Sequence, residues 1–323
     1  MAGKVVKVAT VQATPVFLNR DATVEKACSL IAEAGSHGAQ LVVLPEAFIP
    51  SFPLWIATRA AGPERNEQMQ LYAELVENSV DVPGPVTRVL GAAARDAGAH
   101  VVVGVNERNA DASGASLYNT VLYFDDKGTL LGKHRKLVPT MGERLVWAQG
   151  DGSTLQVFDT ELGKLGGLTC WENYMPLARF ALYAWGTQIY VAPTWDSRQR
   201  WLESLGHIAF EGGCYVIGSC QVVHRDSIPD RYAFKSSIVE ARGEWVNPGN
   251  SAIVDATGFL AGPSECKEEI LHADLDLSRL TLSKSMLDAA GHYARPDVFQ
   301  LTVNRTPRPM VRSIVEDEGL APK

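Results

Sequence analysis

The 323-residue sequence is short of the signatures on which several enzyme classes depend. It has no GxSxG segment, which disfavours a serine nucleophile on a strand-to-helix elbow. It has no GxGxxG and no GxxxxGK[ST], so dinucleotide or P-loop phosphate binding has no support. Its five cysteines, Cys28, Cys170, Cys214, Cys220 and Cys266, are odd in number and scattered, unlike a disulfide framework. None forms a CxxC pair, and no HExxH joins the seven histidines, so neither a metal nor a cofactor is expected. Basic excess is missing too. Lys and Arg number 30 against 37 Asp and Glu, a net charge of −7, which argues against nucleic acid as a partner. No stretch reaches the ~18 apolar residues of a membrane helix. Residues 1–14 alternate apolar positions with Lys4 and Lys7 and read as a strand, not a secretion signal. A cytoplasmic protein with no membrane partner is expected.

What the sequence does contain is 46% hydrophobic and 21% charged residues, ordinary for a globular fold. Short apolar runs mark buried strands at 5–12, 41–44, 101–105, 188–192 and 215–219. Helical spacing marks 23–34, 66–79, 85–97, 177–185 and 198–211. Further strands are expected at 155–159, 163–169 and 269–274. Two hairpins, 118–124 with 129–134 and 251–254 with 259–261, each turn on an Asp…Gly segment. The strand-helix-strand order of the first half is echoed in the second, and uniformly apolar strands need cover on both faces. This pattern predicts an α/β protein built as a four-layer αββα sandwich. Residues 1–286 form a single domain in this reading, and 287–323, rich in Pro and charge, an extended C-terminal arm.

Three segments carry chemistry. At 166–173, Gly-Gly-Leu-Thr-Cys-Trp-Glu-Asn leads a glycine-bearing strand into a cysteine and then into a helix-forming stretch. A nucleophile at such a turn is exposed, and the backbone N–H groups after it can face a developing anion. A helix N-terminus there would also lower the thiol pKa. A buried core cysteine is the plain structural alternative for Cys170. Cys28, Cys214 and Cys220 lie in apolar runs and read as core, and Cys266 lies in a turn. At 41–46, Leu-Val-Val-Leu-Pro-Glu sets Glu46 at the C-terminal end of a buried strand. Open α/β sheets hold ligands there, and a carboxylate can serve as general base. A water-facing loop carboxylate is the alternative. At 134–144, His-Arg-Lys-Leu-Val-Pro-Thr-Met-Gly-Glu-Arg leaves a strand with three consecutive bases. Lys136 is a candidate electrophilic stabiliser, and Glu143 a carboxylate able to neutralise or orient it. A solvated basic loop is the alternative. His134 reads either as a substrate contact or as a loop residue paired with a carboxylate. Phe52 and Trp55 on the loop after Glu46, and Trp195 just past strand 188–192, could enclose an apolar substrate group or be ordinary core.

Taken in order, Glu46, Lys136 and Cys170 resemble the Glu-Lys-Cys triad of the nitrilase superfamily of carbon–nitrogen hydrolases. The resemblance runs from strand 5–12 to His292-Tyr293-Ala294-Arg295-Pro296-Asp297. Three details resemble the nitrilase branch itself. They are Cys170-Trp171-Glu172-Asn173 followed by Met175-Pro176-Leu177-Ala178-Arg179, His134-Arg135-Lys136-Leu137 with Pro139-Thr140 and Glu143-Arg144, and the closing His-Tyr-x-Arg-Pro-Asp. Amidase branches more often follow the cysteine with a tyrosine and an acidic residue. The resemblance implies the αββα sandwich and hydrolysis of a small organic nitrile to a carboxylic acid and ammonia. Cys170 would form the thioimidate and thioester, with Glu46 as base. Lys136 and the Trp171 N–H would stabilise charge, and Glu143 would support Lys136. Homo-oligomers are also implied, dimers that stack into spirals, with the arm at an interface. The alternatives are an amidase or cyanide-degrading enzyme of the same fold, a thiol acyltransferase, and a non-catalytic assembly or binding protein.

Overall fold

Successive side chains of a strand point to opposite faces, and this alternation sorts the buried residues of the chain into layers. In the computed structural model, which describes residues 4–57, 63–110, 112–309 and 311, the first half contains β1 (Val5–Gln12), α1 (Arg20–Ser36), β2 (Leu41–Val43), α2 (Pro63–Glu77), α3 (Pro85–Ala97), β3 (His100–Arg108), β4 (Leu117–Phe124) and β5 (Leu130–Arg135). The second half continues with β6 (Val157–Thr160), β7 (Gly163–Gly167), α4 (Pro176–Ala184), β8 (Ile189–Thr194), α5 (Gln199–Gly212), β9 (Tyr215–Cys220), β10 (Val223–His224), α6 (Phe234–Arg242) and β11 (Trp245–Asn247). It closes with β12 (Gly249–Asp255), β13 (Gly258–Glu265), β14 (Glu269–Asp276) and α7 (Arg279–Met286).

One six-stranded sheet has the order β14-β1-β2-β3-β4-β5 and the other β13-β12-β9-β8-β7-β6. Each has a parallel centre, β1-β2-β3 in the first and β7-β8-β9 in the second, with antiparallel strands outside. Along β2 and its exit, Leu41 and Val43 join the core between the sheets, while Val42 and Leu44 face the layer of α1 and α3. Along β8, Ile189 and Val191 point between the sheets, while Tyr190 and Ala192 meet α4 and α5. The same split at Val101, Val102 and Val103 in β3 completes the pattern. The layers are therefore helix, sheet, sheet, helix, the sandwich expected from the apolar strands. β14 ties the halves together, since it comes from the end of the second half and pairs along the whole of β1.

Element positions agree with the sequence reading wherever the signal is local. Helix α3 spans 85–97 as expected, because Pro85 suits the first turn and Gly98 ends the helix in the left-handed region at φ 61°. Three features had no legible pattern: α6, α7 and the small β10–β11 pair. Helix α6 buries only Phe234 and Ile238, and α7 only Leu280, so neither shows an apolar stripe at helical period. Residues 287–309, where an extended arm is expected, form no helix or strand, include turns at 289–293 and 296–298, and in part contact the rest of the chain. The Arg308 N–H donates to Asp151 at 2.8 Å, and the Arg305 guanidinium lies 5.4 Å from the Trp185 ring centroid. Of the expected arm, 310 and 312–323 lie outside the described residues.

The strand β3 approaches the end of β2 too closely for any side chain at Gly104. A Cβ there would meet the Pro45 carbonyl, the Ala47 amide and the Glu46 backbone. Gly104→Ala is expected to destabilise the fold by about 1–3 kcal/mol through overpacking. Urea denaturation checks this, and an unchanged midpoint would show that the β2–β3 approach tolerates a methyl group.

Candidate active site

Glu46 stands three residues beyond β2, at the C-terminal end of a central parallel strand, and is fully buried. The chain is held there by backbone bonds, Leu44 N–H to Val102 O and Gly104 N–H to Pro45 O, and by Gln221, whose side-chain amide donates to the Glu46 carbonyl at 2.7 Å. Its Oε1 accepts from Lys136 Nζ at 2.8 Å and from Asn119 Nδ2 at 2.7 Å. Its Oε2 has no hydrogen-bond partner among the described residues, leaving one oxygen of a buried carboxylate able to take a proton.

Lys136 follows β5 directly, and its N–H continues the ladder to Asn119 O. The ammonium is shared between Glu46 and Glu143, with Nζ 2.7 Å from Glu143 Oε2. Burial works against that charge. Glu46, Cys170 and Glu143 outweigh it and hold the pKa above the ordinary lysine value. Glu143 sits on a single 3-10 turn, Met141–Leu145, where its carboxylate also accepts from the Thr140 N–H at 2.7 Å. Burial pushes the Glu143 carboxyl above the usual carboxylate range. Lys136 pulls it back, and the Glu46 charge adds to the rise.

Cys170 opens the 3-10 turn Cys170–Tyr174 just past β7. Its φ of 52° is left-handed, a conformation costing a non-glycine residue about 1–3 kcal/mol. Asn173 holds the turn, its side-chain amide donating to the Leu168 carbonyl at 2.9 Å and the Cys170 carbonyl at 2.8 Å. The expected helix N-terminus is not there, and neither is the lowered thiol pKa. A five-residue 3-10 turn replaces the helix, and burial together with the Glu46 charge raises the thiol pKa, outweighing Lys136 and a Thr194 hydrogen bond. One carboxylate oxygen from each of Glu46 and Glu143 and the Cys170 sulfur lie within 4.8 Å of one another. Such a donor set can hold a cation, and here the Lys136 ammonium sits against both carboxylates.

Glu143 and Cys170 border a cavity of about 360 Å³ together with Trp171, Phe52 and Trp195 and an apolar wall of Leu54, Ile56 and Ile238, and Glu46 and Lys136 lie behind them, outside its lining. Phe52 and Trp195 stack at 4.5 Å with ring planes 9° apart. Trp171 is held by its indole N–H on Asp196 at 2.8 Å and by Arg198, whose guanidinium lies 4.9 Å from its ring centroid. Two expected substrate contacts lie away from this cavity. Trp55 does not line this cavity. It packs edge-on against Phe17 and Phe234 in the neighbouring core. His134 does not line it either and is not a loop residue. It lies in β5, buried, with Nε2 at 3.1 Å from Glu172. Burial opposes a charge on His134, but Glu172 raises its pKa. The imidazolium and hydrogen bonds to backbone N–H groups in turn hold Glu172 low against its own burial. Sequence reasoning missed Asn119, which has no motif, and the part played by Glu172, which lies inside the quoted Cys-Trp-Glu-Asn segment.

With its pKa raised, Cys170 is a thiol at neutral pH and ionises only in the alkaline range. The difference in absorbance near 240 nm between the protein and its Cys170→Ala variant is expected to be flat at pH 7–8. A thiolate band at pH 7 would mean that Lys136 outweighs burial and Glu46.

A family model for carbon–nitrogen hydrolases matches residues 7–284. Nitrilase 1 of Arabidopsis thaliana is 42% identical to the chain, over 97% of this chain and 91% of that one. A bifunctional nitrilase/nitrile hydratase of Nicotiana tabacum, NIT4B, is 45% identical over 92% of this chain and 86% of that one. The crystal structure of a carbon–nitrogen hydrolase from Helicobacter pylori G27 superposes with a TM-score of 0.68 at 21% identity, covering 93% of this chain and 98% of that one, which supports the fold alone. With the family match over most of its length and nitrilases among its near relatives, the chain belongs to the carbon–nitrogen hydrolase family, in its nitrilase branch.

Proposed function

We propose that the protein is a nitrilase, hydrolysing an organic nitrile to a carboxylic acid and ammonia. The observation that carries the reading is the buried contact of Glu46, Lys136 and Glu143 beside the Cys170 sulfur, with Glu143 and Cys170 bordering one cavity. Near relatives named as nitrilases support it.

A nitrile carbon is a weak electrophile, so a sulfur nucleophile suits it. Glu46 takes the thiol proton as Cys170 adds to the carbon and passes it to the nitrogen to give a thioimidate. Glu46 then takes a proton from water and passes it to the nitrogen as the hydroxide adds to the same carbon. The tetrahedral carbon now bears sulfur, oxygen and an amino group. Lys136 and the Trp171 backbone N–H stabilise the charge that develops on it. Protonation of the amino group breaks the C–N bond and releases ammonia, and the hydroxyl proton passes to the carboxylate that donated, leaving a thioester. Glu143, whose carboxyl is held above its usual range, suits that proton delivery. A second water, activated by Glu46, breaks the C–S bond and frees the acid.

The stacked Phe52 and Trp195, with Leu54, Ile56 and Ile238, favour a nitrile whose substituent is apolar. We also propose a cytoplasmic protein that self-associates, its C-terminal arm at an interface. In support, no described helix is long and apolar enough to cross a membrane, and Val298 and Phe299 of the arm are exposed.

The test is ammonia, acid and amide release from a graded nitrile panel. Cys170→Ala is expected to lose turnover by on the order of 10³-fold or more, and Glu46→Gln by about 10²–10⁴-fold with the fold intact. Undiminished ammonia release by Cys170→Ala would defeat the reading. Amide as sole product would assign a hydratase, and amide hydrolysis without nitrile hydrolysis an amidase.

A further inference from the structure

Glu172 takes no part in the steps above, yet its side chain is wholly enclosed and its oxygens are taken up by three donors. It accepts from the Leu137 N–H at 2.6 Å, the Thr169 N–H at 2.8 Å and His134 Nε2 at 3.1 Å. Leu137 is the residue after Lys136, and Thr169 the residue before Cys170. The first follows β5 of one sheet and the second follows β7 of the other. One carboxylate therefore grips the backbone on both sides of the reacting groups and spans the two sheets. His134, itself buried in β5, supplies the opposite charge, and its Nδ1 stands 3.3 Å from the Thr154 carbonyl oxygen. A buried ion pair adds little stability over an apolar replacement. What these bonds do is fix distance.

We propose that the His134–Glu172 pair is a positioning device that sets the separation between the Cys170 sulfur and the Lys136 ammonium, and with it the fate of the tetrahedral intermediate. The proposal rests on the nitrilase reading above. That intermediate has two leaving groups on one carbon. When the developing charge sits squarely on Lys136 and the amino group receives a proton, the C–N bond breaks, ammonia departs and the thioester goes on to acid. When the carbon is displaced from Lys136, the C–S bond breaks instead. The electron pair returns to sulfur, Cys170 regains a proton, and the product leaves as the amide. A misplacement of about 1 Å changes rates by about 10²-fold, so the grip of Glu172 on both backbones decides the partition.

The experiment compares acid, amide and ammonia from one nitrile for the parent protein, Glu172→Gln and His134→Gln, with kcat and KM for each. Leu137 N–H bonds one Glu172 oxygen and Thr169 N–H the other, so Glu172→Gln keeps an acceptor for only one of them and loses both the second backbone bond and the ion pair, whereas His134→Gln keeps a side-chain N–H and loses only the charge. The product ratio belongs to the molecules that turn over, so partial unfolding lowers the rate without moving the ratio. The expected result is KM within about threefold of the parent, kcat down about tenfold or more, and an amide share raised several-fold, less in His134→Gln than in Glu172→Gln. An amide share unchanged from the parent in a turning-over Glu172→Gln overturns the proposal. Should that variant fail to accumulate, an unchanged share in His134→Gln overturns it equally. A parent protein that releases neither acid nor ammonia from any nitrile instead refutes the nitrilase reading.

Discussion

The site depends on an ammonium group with no exposure to water. Lys136 is held by two carboxylates, 2.8 Å from Glu46 and 2.7 Å from Glu143. Removing one partner of such a buried pair typically costs about 3–5 kcal/mol, because the remaining charge is left without compensation. Through this contact Lys136 keeps its charge and engages only one Glu46 oxygen, the other having no partner among the described residues, while burial and Glu46 push the Glu143 carboxyl up against the pull of Lys136.

The sandwich makes this contact reachable. Glu46, Lys136 and Glu143 belong to the sheet of β1–β5 and its exits, whereas Cys170 arrives from β7 in the other sheet. Both glutamate and cysteine leave the C-terminal ends of central parallel strands, the place where α/β sheets present loops to ligands. The close approach of β3 to β2 at Gly104 fixes the height of Glu46. The left-handed turn at Cys170, tied by Asn173, aims the sulfur into the cavity with Glu143 and Trp171. Strain at that turn is stored where the chemistry needs a side chain thrown clear of the strand.

Cys170 differs from a pre-ionised thiolate nucleophile. Burial and the Glu46 charge raise its thiol pKa. In the proposed mechanism deprotonation by Glu46 accompanies attack. Pre-ionisation by a helix terminus, which the glycine-to-cysteine segment suggested, would have required a long helix aimed at the sulfur, and the chain turns only once before Met175.

Much of the molecule was legible before folding because its signals are local. Short apolar runs identified the central strands, Pro85 and Gly98 bounded α3, and the Asp…Gly turns marked the hairpins. The residue types and local settings of Glu46, Lys136, Glu143 and Cys170 were likewise readable, since each sits at or soon after the end of a strand. What only the tertiary structure decided was proximity. Trp55 and Phe52 lie on one loop and in one core cluster, yet only Phe52, stacked on Trp195, borders the cavity. His134 and Lys136 lie two residues apart, yet one faces Glu172 and the other Glu46. Turn chemistry and side-chain period act over a few residues, but ionisation and contact at this site arise between groups as far apart as Glu46 and Cys170, where only burial and packing set the distance.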